Sequence, residues 1–262
     1  MSEMSEVFAG LDVARAPTGG PAAFGAGLDA EVLFDAYRHG LFPLPAVDDY
    51  TIAFNEARFE DAVAAGEVAL LPATGGGGGV GADPYALAWW SPDPRPVIAP
   101  DGVRLGSRFA RRLRNGLDWW TSADRAFESV LAGCAEGRRP AWLTRELRAA
   151  LVGLHERGAA HSAEVWEDGE LIGGVFGVAA GPVLSLDSMF HRRSGAARVA
   201  VADLAARFAA AGGRLLDAQW DSPHVRSLGA VPMPRARYLA ELAGPPAPRP
   251  LPAGPLPAAR LG

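Results

Sequence analysis

One stretch of the chain changes its hydrophobic period abruptly, and this change limits the folds that the sequence can adopt. Residues 145–157 repeat their apolar side chains with the period of a helix. HSAEVWE (161–167) and ELIGGVFGVAA (170–180) then follow the two-residue period of strands. Asp168-Gly169 lies between them and is the kind of two-residue turn that favours a hairpin. The sequence therefore predicts a helix followed by an antiparallel hairpin.

Further elements are predicted on both sides of this hairpin. The additional strands cover 118–123, 183–190 and 214–220, and the helices cover 30–39, 105–115, 124–136, 145–157, 196–211, 224–228 and 235–242. Asp29, Asp124 and Thr144 are predicted to cap the helices that they precede. Antiparallel strands followed by a strand, a loop, a helix and a strand are typical of an α+β acyltransferase of the GNAT type. Such a fold has a mixed, mainly antiparallel sheet with flanking helices.

Changes in composition predict the domain organisation. Residues 1–27 are rich in Gly, Ala and Pro and are predicted to be a flexible N-terminus. A small N-terminal domain follows over 28–105, with a long Gly-rich insertion at 46–84, and the GNAT-like catalytic domain covers 106–242. Residues 243–262 contain seven prolines among alanines, which predicts a disordered tail.

The charged residues narrow the possible functions. All 25 basic residues are arginine, which excludes a catalytic lysine. Residues 1–101 carry a net charge of −11 and residues 102–262 a net charge of +6, so a local basic face is possible although the whole chain is acidic. A single cysteine, Cys134, excludes an internal disulfide and a Cys-based zinc site. With no long apolar stretch, the sequence predicts a soluble, cytoplasmic protein that binds neither membrane nor metal.

Polar side chains interrupt two otherwise apolar strands. Asp187 lies in VLSLDSMF, while Asp217 and Gln219 lie in RLLDAQW. Two residues that are two positions apart on a strand point to the same face, so Asp217 and Gln219 are predicted to share one. Burying a carboxylate and an amide costs free energy unless they are hydrogen-bonded. The group is therefore either a structural network or solvated sheet face, or a polar site that orients an attacking amine.

Two arginine-containing segments are candidates for binding anions. The window 102–117 has no acidic residue and contains Arg104, Arg108, Arg111, Arg112 and Arg114. Three of them, Arg108, Arg111 and Arg112, have helical spacing. This pattern indicates either an ordinary solvated face or a surface that binds nucleic-acid phosphates. Residues 192–197 fit the R-x-x-G-x-A form of a pyrophosphate loop, but they are equally consistent with a plain helix entrance.

Seven segments together resemble one known family. They are YRHGLFP (37–43), WWSPDPRPV (89–97), WLTREL (142–147), the stretch 154–181, DSMFHR (187–192), LLDAQ (215–219) and SLGAVPMPRARYL (227–239). In this order they resemble the leucyl/phenylalanyl-tRNA–protein transferases. The combination of WWSPDPR with the hairpin sequence HSAEVW is very specific. The resemblance extends over about 28–45 and 88–242.

The resemblance implies an enzyme that moves Leu, Phe or Met from aminoacyl-tRNA to the N-terminal Arg or Lys of a protein. The product would be marked for degradation by the N-end rule. The implied fold is a small N-terminal domain followed by a GNAT-like domain. No metal, ATP or CoA is implied, because the aminoacyl ester is already activated. We expect a monomer whose partners are aminoacyl-tRNA and proteins with N-terminal Arg or Lys.

The resemblance also implies roles for individual residues. Its catalytic residues fall on Asp217, Gln219 and Asp187, with Asp217 polarising Gln219. An amide is a very poor base, so we favour Gln219 as an orienting hydrogen-bond partner. The apolar pocket for the donor side chain falls on Val175, Leu184, Met189, Phe208 and Leu216. The tRNA-binding residues are expected to be Arg104, Arg108, Arg111, Arg112, Arg114, Trp142, Arg192 and Arg198.

The sequence departs from the family pattern at a few of these positions. Asp187 stands where Glu is usual and is one methylene shorter, and Leu44 replaces an aromatic residue expected near the 3′ adenosine of the tRNA. Val175 and Leu184 are smaller than the usual Met and Phe. Two other functions stay open on sequence alone. One is an acyl-CoA-dependent GNAT N-acetyltransferase, and the other is a non-catalytic tRNA-binding or adaptor module.

Overall fold

The computed structural model describes residues 6–72, 83–138, 141–246 and 249–262. The strands are β1 Ala23–Gly25, β2 Phe42–Pro45, β3 Ala69–Leu71, β4 Leu87–Trp90, β5 Arg95–Ile98, β6 Trp120–Ala123, β7 Ala160–Glu167, β8 Glu170–Ala180, β9 Val183–Ser185, β10 Ser188–His191, β11 Leu215–Asp217, β12 Val231–Met233 and β13 Leu256–Pro257. The helices are α1 Ala30–Arg38, α2 Asp49–Ala64, α3 Ser107–Gly116, α4 Phe127–Ala135, α5 Arg145–Glu156, α6 Ala196–Ala211, α7 Pro223–Leu228 and α8 Arg235–Leu242.

The larger of two sheets contains nine strands and is built around the predicted hairpin. Its order is β12-β5-β11-β9-β8-β7-β6-β13, and β10 also pairs with β8. β9 and β11 pair in parallel, whereas the other pairs in this sheet are antiparallel. The predicted α+β fold with a mixed, mainly antiparallel sheet and flanking helices is therefore confirmed.

Helices cover both faces of this sheet. Val175 and Phe176 are adjacent on β8 and therefore point to opposite faces. Val175 packs in the core that α6 covers, and Phe176 packs in the core formed with α1, α4 and α5. Gly173 lets α6 approach closely, because a Cβ there would lie 2.6 Å from Ala196 Cβ. The two cores hold the strand ends that carry the candidate polar residues.

The described residues of 1–27 are packed into the protein from residue 6 onwards, in contrast to the flexible N-terminus that the composition predicts. Phe8 is completely buried, and its amide donates to the Asp35 carboxylate at 3.1 Å. β1 is an inner strand of the second sheet, whose order is β2-β4-β1-β3. The apolar side chains Phe8, Val13 and Phe24 supply core contacts that the Gly and Ala content concealed. Residues 1–5 lie outside the described part of the chain.

The insertion at 46–84 also contains regular structure. Asp48 accepts a hydrogen bond from the Thr51 amide and begins α2, and β3 pairs in parallel with β1. The insertion shows little hydrophobic periodicity because α2 is mostly exposed and buries Phe59 alone among its residues. The five-glycine run within 73–82 falls outside the described residues.

The prediction of a disordered tail is wrong for residues 249–262. β13 extends the large sheet beside β6, Ala258 is completely buried, and Arg260 forms an ion pair with the buried Asp203. The ion pair of Arg260 and the pairing of β13 with β6 hold this segment against the domain despite its many prolines. Residues 247–248, which the prediction also covered, lie outside the described part.

Two further local predictions need correction. Asp124 does not cap α4; it has a φ of 57° and accepts hydrogen bonds from the Ser162 amide and the His161 ring instead. β5 lies before the predicted boundary at 105/106, yet it pairs with β11 and β12 in the large sheet. Sheet membership thus places β5 with the second domain, and the division into two domains stays a prediction.

Candidate active site

The candidate site begins at a break in the predicted strand 183–190. The structure divides this segment into β9 and β10, and Asp187 lies at the break. The break is possible because Gly177 has no side chain: a Cβ there would lie 1.7 Å from the Ser185 carbonyl oxygen. The Asp187 amide donates to the Phe176 carbonyl at 3.0 Å, which fixes the backbone. A strand interruption therefore places Asp187, a partly exposed residue, at the middle of the sheet.

Three side chains donate hydrogen bonds to Asp187. Tyr37 Oη lies 2.5 Å from Oδ2, while Ser185 Oγ and Gln219 Nε2 lie 2.6 and 2.8 Å from Oδ1. Burial raises the pKa of Asp187 to about 6, although the hydrogen bonds from Ser185 and Tyr37 lower it. A carboxylate has about four acceptor positions, so one position at Oδ2 is left for a substrate.

A second carboxylate, Asp217, is held by a buried ion pair. Arg95 Nε and Nη2 donate to it at 2.8 and 2.7 Å, and both residues are 1% exposed. The Asp217 carboxylate also accepts hydrogen bonds from Tyr238 Oη at 3.0 Å and from the backbone N–H of Gln219 at 2.8 Å. Four donors fill its acceptor positions. Asp217 therefore has no acceptor position left for a substrate.

The geometry corrects the predicted relation between Asp217 and Gln219. β11 ends at Asp217, and Gln219 has a φ of 59°, so the two residues are not alternate positions of one strand. The side-chain amide of Gln219 donates to Asp187, and Asp217 contacts only the backbone amide of Gln219. The structure does bring Asp187, Asp217 and Gln219 together, as the sequence predicts. Asp187 orients the amide, whereas the prediction gave that role to Asp217.

Sequence reasoning missed four residues of this network: Tyr37, Arg95, Ser185 and Tyr238. Arg95 is 122 residues from Asp217, and Tyr37 is 150 residues from Asp187. A usable signal was present at Arg95, because a charged residue in the otherwise apolar strand RPVI needs a buried partner. Tyr37 offered no comparable signal, since its ring also fits the apolar stripe of α1.

The five residues predicted to form the donor side-chain pocket lie in one core. Val175, Leu184, Phe208 and Leu216 are buried there, and Met189 is partly buried against them. Strand pairing places Met189 opposite Val175 and Leu184 opposite Leu216. Met189 is two residues from Asp187 on the chain, which connects this apolar cluster with the polar network.

The residues that are predicted to bind tRNA separate into two groups. Arg108, Arg111, Arg112 and Arg114 are exposed on α3, and three of them line an open groove of about 620 Å³ with Phe109, Asn115 and Gly116. Arg104 is also exposed. Arg198 instead donates to the Arg104 and Ser227 carbonyl oxygens, Arg192 pairs with Glu136, and Trp142 packs against the core. The second group therefore has structural contacts that the sequence did not indicate.

The start of α6 is not an open anion site. Gly195, the residue before α6, lies against Phe109, since a Cβ there would be 2.4 Å from the ring. A Cβ on Gly173 would lie 3.2 Å from the Ala197 amide nitrogen, so β8 covers the first turn. This packing favours the plain helix entrance over a pyrophosphate loop.

The part of the chain that the structure describes has neither a cluster of metal-binding side chains nor a membrane-spanning helix. No group of three or more His, Cys, Asp or Glu side chains that could hold a metal ion occurs in 6–72, 83–138, 141–246 or 249–262. The helices within these same ranges include none with the length and apolar character needed to cross a membrane.

Comparison with known proteins identifies the family. A family model described as leucyl/phenylalanyl-tRNA protein transferase matches residues 97–243. A transferase of this name from Xanthomonas oryzae pv. oryzae (strain MAFF 311018) is 37% identical over 91% of this chain and 82% of its own length. One from Chromohalobacter salexigens is 45% identical over 58% of this chain and 60% of its own.

Solved structures show a weaker likeness. A GCN5-related N-acetyltransferase from Kribbella flavida is similar at a TM-score of 0.36 and 14% identity, over 54% of this chain and 55% of that one. The family model covers more than half of the chain, and the Xanthomonas relative matches nearly all of it. The chain therefore belongs to the leucyl/phenylalanyl-tRNA protein transferase family.

Proposed function

We propose that the protein transfers leucine or phenylalanine, and also methionine, from aminoacyl-tRNA to the N-terminal Arg or Lys of acceptor proteins. The product would carry a new N-terminal residue that marks it for degradation by the N-end rule. The observation that supports this function is the network around Asp187, which has one open acceptor position beside the Gln219 amide. We assign the donor side chain to the adjoining apolar cluster.

The proposed chemistry is attack of the acceptor α-amine on the aminoacyl ester. One N–H of the amine donates to Asp187 Oδ2 and another to Gln219 Oε1, to which no side chain of the described residues donates. The amine nitrogen bonds to the ester carbonyl carbon, the bond to the ribose oxygen breaks, and that oxygen leaves with a proton. An α-amino group has a pKa of about 8. The amine therefore attacks in its neutral form, and Asp187, with a pKa of about 6, is a suitable group to accept the proton that the nitrogen loses on attack.

The three proposed donor amino acids, Leu, Phe and Met, all have an unbranched Cβ. The donor pocket would be formed by Val175, Leu184, Met189, Phe208 and Leu216, all of them apolar. A methyl on Cβ, as in Ile or Val, would lie beside the reacting carbonyl. One misplaced methyl is worth only about 1–3 kcal/mol, so discrimination against Ile and Val should be roughly 10- to 200-fold.

The direct test of the proposed function is a transfer assay. The protein is incubated with Phe-tRNA and a peptide with N-terminal Arg, and mass spectrometry should show that the peptide gains one Phe residue. The same peptide with an acetylated N-terminus is the matched control and should gain nothing. Absence of transfer from both Phe-tRNA and Leu-tRNA to the free peptide would overturn the proposal.

We propose that the exposed arginines of α3 contact tRNA phosphates. Changing Arg108, Arg111 and Arg112 together to Glu should weaken tRNA binding and flatten its dependence on salt. Each lost phosphate contact lowers the slope of log K against log salt by roughly 0.7–0.9, so the triple variant should lose about 2 units. Filter binding between low and moderate salt measures this slope.

The control for this prediction uses another exposed basic surface. Arg145 and Arg148 lie on α5 and line a different groove. Changing both to Glu should leave the slope close to that of the unmodified protein. If this double variant lost the salt dependence and the α3 variant kept it, the tRNA surface would lie on α5.

The pH dependence of transfer should show the titration of Asp187. The free acceptor amine has a pKa of about 8, so log kcat/KM should rise with a slope of one between pH 6 and 8. Below about 6 the Asp187 carboxylate also becomes protonated, and the slope should approach two. In Asp187→Asn the slope should stay near one throughout, at a lower rate. A slope of two that persists in this variant would assign the second proton to another group.

A further inference from the structure

The insertion at 46–84 holds an aromatic helix face out into solvent. Tyr50 is 77% exposed and Phe54 is 48% exposed. Together with the exposed Ala57 they have the i, i+4, i+7 spacing that brings side chains to one side of a helix. Single exposed apolar residues are common on protein surfaces, but neighbouring aromatic rings on one helix form a candidate contact surface. Tyr50, Phe54 and Ala57 are called the α2 face below.

Contacts with the second sheet fix α2 in place, so the α2 face is formed before any partner binds. Phe59, on the opposite side of the helix, is buried, and its ring lies 6.3 Å from the ring of Trp90 on β4. The side chain of Asn55 donates to the Tyr85 carbonyl at 3.0 Å. A preformed surface loses less conformational entropy when a partner docks on it than a mobile one.

The surroundings of the α2 face are strongly acidic. Residues 46–72 contain six carboxylates and a single arginine. Glu56 and Glu60 are one helical turn apart and line the flank of α2 that faces Tyr85. Burial raises the pKa of Tyr85, and the charges of these two carboxylates raise it further. A surface that combines aromatic rings with excess negative charge is complementary to a partner with apolar and basic side chains.

The α2 face lies within reach of the reacting groups. Trp220 follows Gln219 in the chain, and its ring is 5.1 Å from that of Trp90, against which Phe59 packs. Because a helix is about 10 Å across, the α2 face is on the order of 20 Å from Gln219. An extended chain covers about 3.3 Å per residue, so a polypeptide with its α-amine at Gln219 reaches the α2 face after about six residues.

We propose that the α2 face docks the acceptor polypeptide, at a segment that begins about six residues after its N-terminus and carries basic and apolar side chains. This proposal rests on the proposed function. The charge of the surface favours this partner over tRNA, since the acidic side chains around α2 repel phosphates. The tRNA is assigned instead to the exposed arginines of α3, which lie in the basic part of the chain.

Peptides of two lengths test the docking. Both begin with the same four residues, Arg first; the short peptide ends there, and the long one continues to a fourteenth residue with Lys and Leu over its last nine positions. With Phe-tRNA and the unmodified protein, the KM for the long peptide should be roughly 5- to 30-fold lower, the effect of a few moderate interface contacts. The kcat should be equal, because the reacting groups are the same. A third peptide with Glu and Ser over the last nine positions should behave as the short one.

Two double variants show whether the aromatic rings carry this effect. Tyr50→Ser with Phe54→Ser should abolish the advantage of the long peptide, while the KM for the short peptide and for Phe-tRNA stays unchanged. Tyr50→Leu with Phe54→Leu keeps apolar area at both positions and should retain most of the advantage. Both pairs replace exposed side chains, and circular dichroism checks that each variant is folded.

A second pair of variants tests the charge. Glu56→Gln with Glu60→Gln should lose part of the advantage of the long peptide at low salt, where charges are screened least. The matched control is Glu128→Gln with Glu156→Gln, which replaces two exposed carboxylates on α4 and α5. This control should behave as the unmodified protein. An equal effect of the two pairs would show attraction by the overall charge alone and would overturn the docking on α2.

The remaining outcomes separate the two proposals. No transfer to either Arg-terminated peptide by the unmodified protein would overturn the proposed function and the docking together. Transfer with equal KM values for the short and long peptides would overturn the docking alone, as would an advantage that survives in Tyr50→Ser with Phe54→Ser. Analytical ultracentrifugation covers another occupant: a dimer that this variant loses, with unchanged peptide KM values, would assign the α2 face to a second copy of the chain and overturn the proposal.

Discussion

Replacing Gln219 with Ala is expected to slow aminoacyl transfer by about 10²- to 10³-fold, the usual cost of losing one oriented hydrogen bond in a transition state. The variant loses Oε1, which is proposed to orient the amine, and Nε2, which donates to Asp187 at 2.8 Å. The loss should affect kcat, while the KM for Phe-tRNA stays close to its original value, because the proposed partner of the side-chain amide is the acceptor amine. Steady-state transfer to an Arg-terminated peptide measures both constants.

The backbone at Gln219 requires a second variant and a control. Its φ of 59° is strained for any residue with a Cβ, and Gly adopts it freely. Gln219→Gly should therefore be as inactive as Gln219→Ala and no less stable. Asp221→Ala removes an exposed carboxylate two residues away that pairs with Arg226, and it should transfer normally. Transfer at the original rate in both Gln219 variants would make the amide a structural group only.

Replacing Arg95 with Met is expected to lower the free energy of unfolding by about 3–5 kcal/mol, because it leaves the buried Asp217 carboxylate without its charged partner. Arg95 also donates to the Gly40 carbonyl at 3.2 Å and lies against the rings of Phe42 and Tyr238. The side chain therefore links β5, β11 and the segment after α1. Urea denaturation followed by circular dichroism measures the loss.

A double variant separates the ion pair from the packing. In Arg95→Met with Asp217→Leu neither charge is left buried, so most of the lost stability should return. Activity should not return, because the backbone N–H of Gln219 would no longer have its acceptor on Asp217 to hold the residue in place. Arg226→Met, which breaks the exposed pair with Asp221, should change the stability little. If Arg95→Met were as stable as Arg226→Met, the buried pair would not be a major anchor.

The two predictions concern residues that the sequence revealed to different extents. Asp187, Asp217 and Gln219 could be singled out, because polar side chains in apolar strands need partners. Which of them is partnered by which could not be read, because Arg95 and Tyr37 are more than 100 residues away along the chain. The strand pattern suggested that Asp217 and Gln219 share one face of a strand. They do not, because the strand ends at Asp217 and Gln219 has a positive φ.

The sequence by itself determined the elements whose signals are local. The hairpin turn at Asp168-Gly169, the cap at Asp29 and the cap at Thr144 are all present as predicted. Such signals act over a few residues, since a cap or a turn satisfies backbone groups next to it. The period of the apolar residues likewise indicated α5, which buries one side of its surface, whereas α6 is an apolar helix that is buried almost all round.

Only the tertiary structure decided that both ends of the chain are packed and which side chains complete the polar network around Asp187. Residues 6–27 and 249–262 have Gly-, Ala- and Pro-rich sequences that indicate no element, yet both segments are packed through buried side chains, among them Phe8, Val13 and Phe24 in the first and Ala258 in the second. Asp124 is of a residue type that caps helices, but its carboxylate accepts hydrogen bonds from His161 and Ser162 on the hairpin strand β7 and does not bond to α4. These outcomes depend on contacts between distant parts of the chain, whose free energy is realised only when the sheets and helices have come together.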